Sequence, residues 1–127
     1  MPTQSERRRA AIAHVASIPG MAIGLGFVGP LIALRVLTRG STFVRTHAVA
    51  AVNFNLTVGL VGLAGLIGAA SLSRVGDDGG PDWAAGATVV LVVLLTVGWF
   101  LLTVRAAMAA RYGEAYRYPV AAPFLRV

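Results

Sequence analysis

His14, His47, Asn53 and Asn55 are the side chains of this 127-residue chain that could move a proton or hold a polar ligand from within apolar sequence. A neutral imidazole both donates and accepts, so His14 is a candidate proton or ligand site. The competing reading is a buried hydrogen bond to Ser17 or to a backbone carbonyl freed at Pro19. Asn53 and Asn55 are candidate polar sites of the same kind. Asn53 shares a helical face with Thr57 at i, i+4. Such a face either ties helices together or lines a polar path. Beyond Thr57 it turns to glycine and leucine, which favours tying. His47, beside Arg45, is expected at the aqueous interface, where it meets water or a lipid phosphate or senses pH.

Catalysis needs a nucleophile or an acid–base pair in a pocket. The chain has no cysteine, and its apolar stretches hold no Asp or Glu. Ser17, Ser71 and the histidines form no recognisable motif. No catalytic residue, no cofactor and no enzymatic activity are expected. Asp77, Asp78 and Asp82 cluster, but their spacing does not fit a calcium loop and no glutamate follows. A solvated turn is expected there, and no metal site anywhere.

The elements that position these residues follow from the charges. The net charge is +6, and all eleven basic residues are arginine. None lies within Ala10–Leu34, Ala48–Leu72 or Trp83–Val104, and neither does any acid. Each stretch exceeds the roughly 20 residues that cross a bilayer core of about 30 Å. An arginine at the bilayer centre costs at least about 2.5 kcal/mol, which explains the segregation. The arginines flank apolar segments and leave no basic face for nucleic acid. The fold class is therefore all-α, an integral membrane helical bundle of three hydrophobic segments, with residues 1–127 as a single membrane domain.

Segment one covers about 10–37 and is expected to break at Pro19-Gly20, with a short helix before and a longer one from Met21 to Leu37. Arg7–Arg9 before an apolar run resembles the start of a signal peptide, but the run is too long for one and is read as retained. Gly40 suits a helix stop, and Ser41 or Thr42 an N-cap. Segment two then covers 43–72. Its row of Gly59, Gly62, Gly65 and Gly68 is expected, with Asn53 and Thr57, to pack against another helix. Segment three covers 83–112 and stops at Gly113. Trp83 and Trp99 near its ends suit the interface, as do Arg35, Arg39, Arg45, Arg111, Tyr116, Arg117 and Tyr118. Residues 113–127 are expected to lie flat on the cytoplasmic interface against the Arg35–Thr46 connection.

With three crossings, the first connection and the C-terminus carry seven arginines against Glu114, and the other side is neutral. The positive-inside rule places the arginine-rich side in the cytoplasm. Arg7, Arg8 and Arg9 then stand on the wrong side. A re-entrant first segment would bring them back, but Met21–Leu37 is long enough to cross, so three crossings are favoured.

Several motifs occur in order: His14, Gly29-Pro30-Leu31, Phe43-Val44 before His47-Ala48, Asn53-Phe54, and Gly113-Glu114-Ala115-Tyr116-Arg117-Tyr118-Pro119. In them the chain, over about Ala10–Val127, resembles a family of small bacterial and archaeal polytopic membrane proteins of unknown function. That family is distantly similar to the Tic-twenty type channel subunit of chloroplast protein import. The sequence departs from the pattern at Ala33-Leu34, Thr42 and Arg45-Thr46. The resemblance implies a helical membrane fold without established enzymatic activity.

Two functions follow as expectations. One is a structural or accessory subunit acting by helix packing in a prokaryotic plasma membrane. Its partners are the bilayer, anionic lipid headgroups, and a homo-oligomer or larger complex. The alternative is an oligomeric channel or a component of a transport or protein-translocation path.

Overall fold

The computed structural model describes residues 1–73 and 83–127. These form helices α1 (Gln4–Val15), α2 (Ser17–Met21), α3 (Val28–Val36), α4 (Thr42–Ser73) and α5 (Trp83–Tyr112), with no strand among the described residues. The aspartate cluster Asp77, Asp78 and Asp82 lies outside them.

Each helix end has a local cause. Thr3 caps α1 by accepting from Glu6 N, while Glu6 returns a bond to Thr3 N, a reciprocal capping box. Ser41 Oγ accepts from Val44 N and starts α4. Gly113, at φ 82°, ends α5: its N–H donates to Ala110 O, and Glu114 N donates to Ala109 O. That is a Schellman stop, with glycine taking the left-handed position at no Cβ cost.

The 32 residues of α4 and 30 of α5 are about 48 and 45 Å long, both longer than the bilayer core. Thr42–Ser71 and Ala85–Tyr112 are apolar enough to cross it. They pair side by side, with Asn55 bonded to Trp99 and Gly65 against Leu91.

Segment one forms no single helix long enough to cross; the described residues hold two helices that are, where the sequence favours three crossings. The chain breaks at Ala16, which ends α1 and begins α2. Pro19 and Gly20 lie inside α2 and do not form the break. Proline is tolerated in a first turn because its missing N–H would have no intrahelical partner. The reversal comes later. Gly24, at φ 74°, lets Gly24 N reach Met21 O and Leu25 N reach Gly20 O. The helix resumes only at Val28. Its nine residues reach about 14 Å, half a bilayer core.

The result is a re-entrant hairpin whose arms touch. Gly29 sits on the end of α1, where a Cβ would overlap the Ala16 carbonyl. At the open end the Arg9 guanidinium donates to Leu37 O at 3.3 Å. Pro2 and Arg7 lie against Gly113 at the end of α5. Arg7, Arg8, Arg9, Arg35, Arg39, Arg45 and Arg111 therefore gather at one end of the bundle, and the charge conflict of the three-crossing reading disappears.

Among the described residues the buried core occupies this end. Ala10 and Ala11 of α1 meet Ala107 and Ala110 of α5; Ala13, Ala33 and Ala48 join α1, α3 and α4. Small side chains let these helices approach closely. Away from this head, Leu60, Leu63, Leu66 and Ile67 of α4 and Val89–Val93 of α5 are exposed on an apolar hairpin.

Candidate functional site: a buried histidine pair under the C-terminal tail

The two histidines, 33 residues apart, meet inside the head. His14 comes from the last turn of α1, His47 from the second turn of α4, and both are buried. His14 Nε2 lies 2.8 Å from His47 Nδ1, His14 Nδ1 lies 3.0 Å from the Tyr118 hydroxyl, and His47 Nε2 lies 3.1 Å from Glu114 O.

These four groups fix one another's protons. A carbonyl only accepts, so His47 Nε2 donates to Glu114 O. The Nδ1 of a neutral His47 must then accept from His14 Nε2–H. His14 Nδ1 is left as an acceptor, and Tyr118 donates to it. The chain runs in one direction: Tyr118 O–H to His14, His14 N–H to His47, His47 N–H to Glu114 O. An added proton on His47 Nδ1 would set one N–H against another, and one on His14 Nδ1 would force the Tyr118 hydroxyl to turn from donor to acceptor.

Tyr118 is only 7% exposed and stacks on Phe54, with centroids 3.9 Å apart and planes 5° from parallel. Burial pushes its hydroxyl above the usual phenol range; the charge of Tyr116 adds to this, and the neighbouring Thr103 hydroxyl opposes it. Thr103 Oγ1 is itself buried and has no hydrogen-bond partner among the described residues.

The C-terminal tail closes the site, in a place the sequence reading did not give it. Tail residues expected flat on the interface instead run back along α4. Asn53 Nδ2 donates to Leu125 O at 2.9 Å, and Leu125 N donates to Asn53 Oδ1 at 2.8 Å. Thr57 Oγ1 donates to Asn53 O and accepts from Ala122 N, each about 2.8 to 2.9 Å. Pro119 and Pro123 keep this segment from becoming helix. Non-helical backbone beside apolar helices needs protein partners for its polar groups. Asn53 and Thr57 supply them, so they hold the tail and not a neighbouring helix.

Other expectations need the same correction. His47 is 1% exposed, not at the water interface, because α1 and the tail cover it. Ser17 Oγ does bond His14, but through the His14 carbonyl and not the ring. Trp99 is 5% exposed and donates to Asn55 Oδ1 at 2.9 Å, so it is a buried link and not an interfacial anchor. Asn55 Nδ2 closes onto Ala51 O. Tyr118 leaves the headgroup level for the core, with Tyr116 edge-on to it at 5.1 Å.

The remaining placements are simpler. Trp83, Arg35, Arg39, Arg45, Arg111 and Arg117 are exposed. Among the described residues, Gly65 of the glycine row meets Leu91 of α5, and Gly59, Gly62 and Gly68 have nothing within 4 Å of a would-be Cβ. Gly65 and Gly68 border a shallow cleft of about 230 Å³ between α4 and α5.

Sequence reasoning placed His47 at the aqueous interface and Tyr118 at the headgroups, and missed that both meet His14 in the core. The signal was present: an all-apolar helix face around His47 (Val44, Ala48, Ala51) is a burial pattern.

An apolar two-helix hairpin carrying a head sealed by a histidine pair defines a small helical membrane protein. Residues 5–125 match the magnetosome magnetite crystal formation protein family, and the chain belongs to it. No curated protein and no solved structure matches. The likeness to the chloroplast import subunit finds no support among these comparisons.

Proposed function

We propose that the chain is a non-enzymatic structural or accessory membrane protein that works through its surfaces. One observation carries this reading: the polar groups of the head, the Thr103 hydroxyl excepted, are spent on one another, whereas the apolar hairpin beyond Val58 is uncovered among the described residues. His14, His47, Asn53, Asn55, Thr57, Trp99 and Tyr118 all bond within the chain. A site built for turnover keeps groups free for a substrate. Exposed in the bilayer instead are Leu60, Leu63, Leu66 and Ile67 beside the open Gly59 and Gly62, a surface that takes lipid or other helices.

The family description supplies a setting, magnetite crystal formation in the magnetosome. Among the described residues no three metal-ligating side chains come together. The role read for the helical body is architectural. The arginine-rich end faces the cytoplasm by the positive-inside rule, with both termini there and the chain in the prokaryotic inner membrane.

The experiment is purification of the full chain in mild detergent, with identification of what remains bound, followed by flux in liposomes. Retention of a second copy or a partner without ion flux supports the accessory role. Flux from the pure protein replaces it with the oligomeric channel.

A further inference from the structure

A groove of about 1090 Å³ lies open between α1 and α5 at the arginine-rich end. Its two walls repeat one pattern. On α1, Arg8, Ile12 and Val15 follow at i, i+4 and i+7 along one face. On α5, Arg111, Met108 and Val104 follow at i, i−3 and i−7. The helices run in opposite directions, because Pro2 and Arg7 meet Gly113, so both arginines stand at the same end. The apolar side chains descend together towards the bilayer. Ala11 and Ala107 form the floor, where the helices pack closely.

The cationic rim is available. Arg8 and Arg111 are exposed and have no hydrogen-bond or ion-pair partner among the described residues. Arg7 lines the same rim, its Nε held by the Pro2 carbonyl at 3.2 Å. Ile12, Val15, Val104 and Met108 are each 39–47% exposed, an apolar lane with no protein covering it.

We propose that this groove binds an acidic phospholipid. The phosphate sits between Arg8 and Arg111, and an acyl chain runs down the lane between Ile12 and Met108. Guanidinium forks match phosphate oxygens. An apolar lane continuous with the rim selects a lipid over a free anion. The site goes beyond the accessory role and does not depend on it.

The test is thermal melting of the full chain in uncharged detergent with phosphatidylglycerol, phosphatidylcholine or inorganic phosphate added. Phosphatidylglycerol alone is expected to raise the melting temperature. Each arginine beside an anionic lipid contributes roughly a factor of five, so Arg8→Gln with Arg111→Gln weakens the response tenfold or more. Arg39→Gln with Arg45→Gln, exposed at the same end outside the groove, leaves it unchanged. Ile12→Trp, which fills the lane, weakens it while keeping the arginines. An equal response to inorganic phosphate, or an equal loss in the Arg39/Arg45 variant, overturns the site. If the Arg8/Arg111 variant melts lower without lipid, a photoactivatable phosphatidylglycerol on the parent chain decides. Cross-links to both α1 and α5 of the head uphold the groove, and cross-links confined to the exposed hairpin refute it.

Discussion

His14 Nε2 and His47 Nδ1 stand 2.8 Å apart with their ring planes 86° from parallel, and this one bond joins α1 to α4. Because it is flanked by Tyr118 on one side and the Glu114 carbonyl on the other, both rings are fixed as Nε2–H tautomers. Nitrogen NMR of histidine-labelled protein should show that form at both positions. A Nδ1–H signal at either would contradict the direction of the chain.

Removing a member of the chain strands its neighbours. His14→Ala leaves the Tyr118 hydroxyl and His47 Nδ1 buried without partners, at about 1–3 kcal/mol each. Tyr118→Phe removes only the donor to His14 and keeps the stack on Phe54, so it should cost less, about 1 kcal/mol. Melting in detergent ranks the two, and the reverse order would show that the stack and not the hydrogen-bond chain holds the tail.

Asn53→Ala deletes both bonds to Leu125, a loss of about 1–3 kcal/mol. Asn53→Asp should be worse, since a carboxylate can accept from Leu125 N but faces the Leu125 carbonyl with a second acceptor. Limited proteolysis reads this directly: the tail beyond Pro119 becomes cleavable in both variants while α4 and α5 stay intact. Equal resistance of parent and variants would mean that the tail is held elsewhere.

Glu6 carries a pH prediction. The Ser41 hydroxyl, then the Thr3 backbone and hydroxyl, with Arg9 nearby, lower its carboxyl from 4.5 to about 2. The folded value lies below the unfolded one. The stabilisation is therefore complete above 4.5 and fades as pH falls towards 2. The group is exposed, so the effect is small. Glu6→Gln should flatten the acid limb of the melting curve in that window by slightly lowering stability at neutral pH, where the parent carries the full contribution.

Topology is checked with single cysteines and a membrane-impermeant thiol reagent. Cysteines at Thr3 and Gly40 should behave alike, both protected in intact cells, because the first segment is re-entrant. A cysteine at Gly79, in the connection between α4 and α5, should be labelled. Opposite behaviour of Thr3 and Gly40 would restore the three-crossing reading.

Part of this protein is written in one dimension. Charge exclusion marks the apolar helices, since an arginine's cost in hydrocarbon depends only on its depth. Gly113 as the end of α5 and Ser41 as a cap are local chemistry, and both stand where the sequence placed them. The tertiary structure decided the rest. Whether Met21–Leu37 crosses depended on Gly24 adopting positive φ and on α1 touching α3, contacts that no window of residues contains. His14, His47 and Tyr118 each look interfacial or solitary along the chain; folding brings them together across 33 and 104 residues. Asn53 could have tied a helix or lined a path. It received the tail, because the tail's prolines bar it from helix and leave backbone groups that side chains of α4 satisfy.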